Sequence, residues 1–373
     1  MLIGLPKEIK NNEYRVGLTP SSVHELCHSG HQVQVETNAG TGCGFENSDY
    51  IAAGAVILEK AADIFQSSEL IIKVKEPLAV ERAMLRAGQT IFTYLHLAPD
   101  IPQTQDLLAS GATCIAYETV ADKLGRLPLL APMSEVAGRM SIQAGAHCLE
   151  GSQKGSGILL GGVPGVHPAN VVILGAGVVG SNATQMAVGL GANVIVMDKS
   201  LDALRHLDTL YGNKIKTLFS TKQSLAEQLL IADLVIGAVL IPGAQAPRLV
   251  SRKLLKTMKK GSAIVDVAID QGGCFETSRP TTHEKPTFVE EGIVHYCVAN
   301  MPGALARTAT QALNNATLPY ILELANKGIK TALSDNKSLL RGLNIVGGKL
   351  TCNSVALAQN IPVISLESAL QLL

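Results

Sequence analysis

The segment Val171-Val172-Ile173-Leu174-Gly175-Ala176-Gly177-Val178-Val179-Gly180 constrains this chain most, because Asn193-Val194-Ile195-Val196-Met197-Asp198 follows it. Together they read as strand, glycine turn, helix, strand and acid. In such a unit the first glycine permits a tight turn, the second lets backbone approach a pyrophosphate, and the third lets the helix pack against the strand. Gly175, Gly177 and Gly180 stand at those three places, so a phosphate would lie at the helix N-terminus, and Val178 and Val179 would flank it. Asp198 falls where a carboxylate accepts from the hydroxyls of an adenosine ribose. Glycines also serve ordinary turns; the apolar strand before them and the acid after the next strand favour a dinucleotide pocket.

The chain has 373 residues, 47% hydrophobic and 17% charged, enough for a large core and two domains. Lys plus Arg and Asp plus Glu each number 31, without long runs of one sign. The basic footprint of a nucleic-acid or anionic-membrane binder is therefore missing. Apolar runs such as Leu234 to Ile241 fall short of the ~20 residues of a membrane helix, and the N-terminus carries no basic segment ahead of an apolar core, so no signal peptide is predicted. The seven cysteines are odd in number and form no C-x-x-C pair, which predicts reduced, buried thiols in the cytoplasm.

Alternating strands and helices predict an α/β fold of two Rossmann-like, doubly wound domains. Met1 to Leu5, Val33 to Glu36, Leu70 to Lys75, Thr90 to Tyr94 and Thr113 to Tyr117 read as buried parallel strands of a first unit. A helix from about Ser134 to Gln153 would connect it to the second, with about six strands, several ending at Ser220, Leu240, Ile269 and Asn300. Thr308 to Lys327 reads as a helix, and the tail, with helical stretches, packs back on the first domain. The boundaries are 1–128 with 307–373 for a substrate domain and 129–306 for an inserted nucleotide domain. Ligands of open α/β sheets lie beyond the carboxyl ends of the strands. The expected nucleotide contacts there are Ser220, Val239, Leu240, Val267, Ala268, Ile269, Asp270, Val298, Ala299, Asn300 and Met301.

Three ionisable residues follow apolar strands: Lys75, His96 and Asp270. Arg15 adds a planar donor suited to two-point capture of a carboxylate. The bland alternative for each is a solvated strand end or an ordinary ion pair. His24-Glu25-Leu26-Cys27-His28 matches the two-histidine zinc pattern, with Glu46 as a downstream carboxylate. However, Val23, Leu26 and Cys27 form an apolar stripe that turns His24, Glu25 and His28 outward, and no organised further ligands are evident. No metal is predicted.

Lys7 to Pro20, Leu70 to Pro77, Tyr94-Leu-His96-Leu, Ala116-Tyr-Glu-Thr119, Leu129 to Arg139, Gly161 to Val166, Asp266 to Gly273 and Val298 to Pro302 together resemble the alanine dehydrogenase and transhydrogenase alpha-subunit family, and within it the alanine dehydrogenases. The likeness runs from Met1 to about residue 330. It implies that Arg15 and Lys75 bind the substrate carboxylate and carbonyl, that His96 is the acid/base, and that Asp270 is the second catalytic residue. It also implies that Ser134, Asp198, Ser220, Arg279 and Asn300 join the glycine turn in holding NAD. L-alanine, pyruvate and ammonia would be the small-molecule partners, and the enzyme a cytoplasmic homohexamer. Family members often carry a basic residue five positions after the ribose acid. Here Ala203 stands there, and Lys199 is the neighbour placed to compensate.

Residue chemistry fits those roles. Histidine, with an ordinary pKa of about 6.5, suits two proton transfers near neutrality; a carboxylate stabilises a developing iminium. His96 and Asp270 would lie on different domains and meet when a cleft closes over substrate. Two other readings are a non-catalytic transhydrogenase-like nucleotide module and a saccharopine- or lysine-type amino-acid dehydrogenase.

Overall fold

Among the described residues, fifteen short strands form where β-branched and apolar residues cluster. In chain order they are β1 Leu2–Leu5, β2 Gln32–Glu36, β3 Val56–Leu58, β4 Leu70–Ile72, β5 Thr90–Thr93, β6 Thr113–Ala116, β7 Asn170–Leu174, β8 Asn193–Asp198, β9 Ile215–Phe219, β10 Leu234–Gly237, β11 Ala263–Asp266, β12 Thr287–Glu290, β13 Ile293–Tyr296, β14 Leu343–Val346 and β15 Lys349–Leu350. The computed structural model describes residues 1–239 and 246–373. The chain divides into unit 1, residues 1–133 and 305–373, and unit 2, residues 134–304.

The sheet of unit 1 runs β15-β14-β6-β5-β4-β1-β2-β3. β1 to β6 are mutually parallel, in the doubly wound order 3-2-1-4-5-6. Strands β4, β5 and β6 are buried at every position, which explains their unbroken apolar runs: a parallel sheet covered on both faces needs no polar alternation. The chain returning after Leu305 adds β14 antiparallel beside β6 and β15 antiparallel beyond β14. The sequence pattern anticipated helical stretches in this tail but not its two strands.

Unit 2 repeats the plan. Its sheet runs β12-β13-β11-β10-β7-β8-β9, and its parallel part again follows 3-2-1-4-5-6 from β7. The two-residue period of a strand sends neighbours to opposite faces. Val171, Ile173, Ile236 and Val265 enter one core, and Val172, Leu174, Val235 and Ile264 the other. Truncating such a residue, for example Ile236→Ala, costs about 2–5 kcal/mol.

Some expected boundaries change. β4 stops at Ile72 rather than Lys75, and β11 stops at Asp266. Val267–Gln271 is a 3-10 turn whose Ala268 and Ile269 are nevertheless buried, so apolar character alone misread it as strand. β12 is an antiparallel edge strand that makes seven strands among the described residues of unit 2 where about six were expected. The connecting helix spans Ala131–Cys148 and the long later helix Ala306–Lys327. In the described residues no helix is long and apolar enough to cross a membrane.

Candidate active site

In unit 2 the sheet reverses its winding between β7 and β10, and the glycine turn lies at that point. Gly175 has φ +107°, and a β-carbon there would stand 2.7 Å from the Ala238 carbonyl oxygen. One at Gly180 would stand 1.8 Å from the Gly175 carbonyl oxygen. Both glycines are therefore required by backbone approaching backbone. Gly177 is different: nothing lies within 4 Å of where its β-carbon would be, and it caps the helix Val178–Gly189. Open space before a helix N-terminus suits an anionic group, so these residues fit a dinucleotide phosphate.

Asp198, at the end of β8, closes this cradle. One carboxylate oxygen accepts from Ala176 N–H at 2.6 Å and the other from Ser200 N–H at 2.7 Å. Ser220 follows β9 and donates its N–H to the Asp198 carbonyl at 2.9 Å. Val239 follows β10, and Leu240 lies outside the described residues. Ser134 is half-buried in the first turn of the helix Ala131–Cys148. Lys199 is exposed, and Ala203 sits in the first turn of the helix Leu201–Tyr211. Arg279 places its guanidinium 4.3 Å from the centre of the Phe288 ring.

Asp270 projects from the turn after β11 and is exposed. Its two oxygens accept from Asn300 N–H at 3.3 and 3.2 Å, which joins the turn bearing Val267, Ala268 and Ile269 to the segment of Val298, Ala299 and Met301. Asn300 has φ +58°, a conformation asparagine tolerates better than most residues. Beneath them lies Asp266, fully buried. Its Oδ2 accepts from Cys274 N–H at 2.9 Å and Ser278 Oγ at 2.6 Å, while Oδ1 has no hydrogen-bond partner. Burial pushes its carboxyl from 3.8 up to about 6, against those hydrogen bonds.

In unit 1 the corresponding residues gather beyond the carboxyl ends of β4, β5 and β6. The backbone pairing continues past the strands: Tyr94 N–H donates to the Val74 carbonyl at 3.2 Å, and Thr93 Oγ1 donates to that of Lys75 at 2.9 Å. Lys75 and His96 thus sit on adjoining extensions. His96 adopts φ +50°, a sparsely populated conformation that concentrates at functional sites. Glu118, just past β6, holds it by accepting from His96 N–H at 2.6 Å and Leu95 N–H at 3.2 Å. The imidazole Nδ1 lies 3.9 Å from the same carboxylate, and its ring stacks on Tyr94 at 5.7 Å. Tyr94 is buried and gives its hydroxyl to the Leu129 carbonyl at 2.5 Å; burial raises its pKa.

Arg15 is buried, with only 2% of its surface exposed. Its Nε and Nη2 face Glu13 at 2.7 and 2.6 Å, and Nη1 meets Met133 Sδ at 3.0 Å. Burial alone would lower its pKa, but the bond and charge of Glu13 keep it above the ordinary value. Glu13 thus holds one edge of the two-point donor, and only the other edge points elsewhere. Listing the ends of the unit 1 strands would have singled out Glu118. Glu13, buried two residues before Arg15, left no signal of its own.

The helix Pro20–His28 buries Ser22, Val23 and Leu26, while His24, Glu25 and His28 are exposed. Cys27 is half-buried, not a full member of the apolar stripe. Among the described residues no group of three or more His, Cys, Asp or Glu is arranged to hold a metal ion. All seven cysteines are free thiols.

Two doubly wound sheets, one with a glycine cradle at its switch point and one with ionisable residues along its carboxyl edge, define an α/β protein of nucleotide-binding type. Models of the alanine dehydrogenase/PNT N-terminal and C-terminal domains match residues 4–137 and 141–353. The chain is 58% identical to an alanine dehydrogenase of Halomonas elongata over 99% of both chains. A solved L-alanine dehydrogenase superposes with a TM-score of 0.94 at 52% identity, covering 96% of this chain and 99% of that one. A transhydrogenase of Sinorhizobium meliloti is more distant, with a TM-score of 0.80 and 25% identity over 95% of this chain and all of that one. This chain belongs to the alanine dehydrogenase/PNT family.

Proposed function

We propose that the protein is an NAD-dependent L-alanine dehydrogenase, which deaminates L-alanine oxidatively to pyruvate and ammonia and runs the reverse reductive amination. The observation that carries this reading is His96, held in a left-handed conformation by the Glu118 carboxylate, which accepts from its backbone N–H, beside the Lys75 segment. Full-length identity to alanine dehydrogenases favours it over the saccharopine-type and the non-catalytic readings.

NAD, when bound, would supply the hydride acceptor for the substrate Cα. Gly175, Gly177, Val178, Val179 and Gly180 would hold its phosphates, Asp198 its ribose, and Ser134, Ser220, Val239, Leu240, Arg279, Val298, Ala299 and Met301 its remaining edges. Arg15 and Lys75 grip the carboxylate and the carbonyl oxygen, aligning a small substrate. His96 takes a proton from the water that adds to the iminium carbon. It returns that proton to the nitrogen as the carbinolamine collapses and then accepts the hydroxyl proton, so ammonia leaves and the carbonyl forms. Asp270 stabilises the iminium charge, with Val267, Ala268, Ile269 and Asn300 setting its turn.

The free thiols favour a reducing, cytoplasmic compartment, and family likeness favours a homohexamer, which light scattering at six times the monomer mass would check. The decisive assay follows reduced nicotinamide by absorbance across a panel of amino acids. L-alanine should be turned over faster than branched, aromatic or dibasic substrates, and NAD used in preference to NADP. Faster formation of a saccharopine-type product from lysine and 2-oxoglutarate would overturn the assignment.

A further inference from the structure

The switch point of unit 1, between β1 and β4, holds a buried charge cluster. Glu8, just past β1, is buried, and its Oε1 accepts from Val74 N–H at 2.6 Å and Lys75 N–H at 3.3 Å. Its Oε2 lies 3.0 Å from Lys73 Nζ, which in turn lies 2.7 Å from Glu81 Oε1. Glu81 Oε2 accepts from Leu78 N–H at 2.8 Å. The two glutamates therefore hold opposite ends of the segment 73–78, and Lys75 lies between. Lys10 and Glu76 form a further ion pair from the loop after β1 to the same segment.

A cluster of one cation and two anions is a poor device for stability alone. Buried ions lose their hydration, and apolar side chains of equal volume often serve as well or better. Burial raises the pKa of Glu8, with the Lys73 charge opposing, and Lys73 is kept charged by both carboxylates despite its burial. What the cluster does supply is direction. Lysine carries a point charge on a flexible four-carbon stem, so the place its ammonium can reach depends on the backbone it leaves from. Glu8 grips the amide of Lys75 itself.

We propose that Glu8 is a positioning residue for Lys75: its carboxylate, anchored by Lys73, fixes the backbone from which Lys75 reaches the substrate carbonyl oxygen. The inference rests on the assignment of Lys75 to the substrate given above. It separates Glu8 from Glu81, which shares the lysine but bonds Leu78 rather than Lys75.

The test compares Glu8→Gln with Glu81→Gln, which remove the same charge from the cluster. NADH binding is read from nucleotide fluorescence, and pyruvate binding from the change it makes in that signal. Glu8→Gln should weaken pyruvate about 10- to 100-fold with NADH affinity unchanged, whereas Glu81→Gln should shift pyruvate by no more than about twofold. In a Lys75→Ala background Glu8→Gln should cost nothing further. Equal pyruvate losses in the two glutamine variants, or a Glu8→Gln loss that adds in full to that of Lys75→Ala, would overturn the inference. Should Glu8→Gln fail to fold, Glu8→Asp keeps the charge but withdraws the carboxylate from the two amides; unchanged pyruvate binding in that variant would overturn it equally. A Lys75→Ala protein that binds pyruvate normally would overturn the parent assignment and this inference with it.

Discussion

The two sheets of this molecule share one winding order and use its switch point in opposite ways. Between β7 and β10 the chain removes side chains: Gly175 and Gly180 let backbone approach backbone, and Gly177 leaves open space ahead of a helix. Between β1 and β4 it installs side chains instead, with Glu8, Lys73 and Glu81 buried in one ion cluster. A diffuse phosphate charge is met by backbone donors that any sequence can offer once its β-carbons are gone. A small carbonyl substrate needs a single charge at one place, and that demands a buried scaffold of fixed groups. Topology therefore sets where a ligand lies, and residue chemistry decides which ligand.

The largest effect expected from this division is on turnover. His96→Ala should lower the rate by a factor on the order of 10² to 10⁴ and leave NADH binding intact, since the histidine belongs to unit 1 and the cradle to unit 2. Steady-state rates paired with a nucleotide titration would show it. Loss of NADH binding together with rate would mean the two sheets do not divide the work.

Glycine variants sharpen the unit 2 side. Gly180→Ala puts a methyl 1.8 Å from the Gly175 carbonyl, so the helix must move off its turn, at a cost of about 1–3 kcal/mol seen in Tm and in weakened NADH. Gly177→Ala meets no protein atom within 4 Å. Its Tm should hold while NADH affinity falls, because the methyl enters only the open space proposed for phosphate. A Gly177→Ala protein with normal NADH affinity would place the nucleotide elsewhere.

Cofactor choice should respond more modestly. Asp198→Ala removes the carboxylate beside Ala176 N–H and with it the repulsion of a 2′-phosphate. The ratio of kcat/KM for NAD to that for NADP should shrink, and an unchanged ratio would mean this carboxylate serves the turn alone.

The smallest effect concerns Asp266. Its folded carboxyl is raised from 3.8 to about 6, so between those values the native state binds more protons than the unfolded one, and stability falls as pH rises through that window. In Asp266→Asn, Tm measured from pH 4 to 6 should lose that decline. A decline equal to that of the parent protein would assign it to other groups.

The sequence displays the parallel strands and the glycine cradle because both are local. An apolar run, a turn and an acid lie within 28 residues, from Val171 to Asp198, and each follows from its own period or backbone freedom. The ends of the strands were less legible: Val267, Ala268 and Ile269 are apolar and largely buried yet belong to a turn, since burial does not distinguish strand from 3-10 geometry. The tail strands β14 and β15 depend on β6, which lies more than two hundred residues earlier in the chain. Arg15, Lys75, His96 and Asp270 could be picked out as polar groups after apolar strands or in turn-rich segments, but their partners could not. Glu8 meets Lys73 and Val74 across 65 and 66 residues, and Glu118 meets His96 across 22. Only the folded sheet brings those pairs together.

The proposed function assigns the nucleotide to unit 2 and the substrate to unit 1. It is tested most directly by titrating NADH, then pyruvate, into the Lys75→Ala protein. NADH affinity should equal that of the parent protein, and pyruvate affinity should fall by a factor of about 10 or more. Weakened NADH with pyruvate binding retained would contradict it.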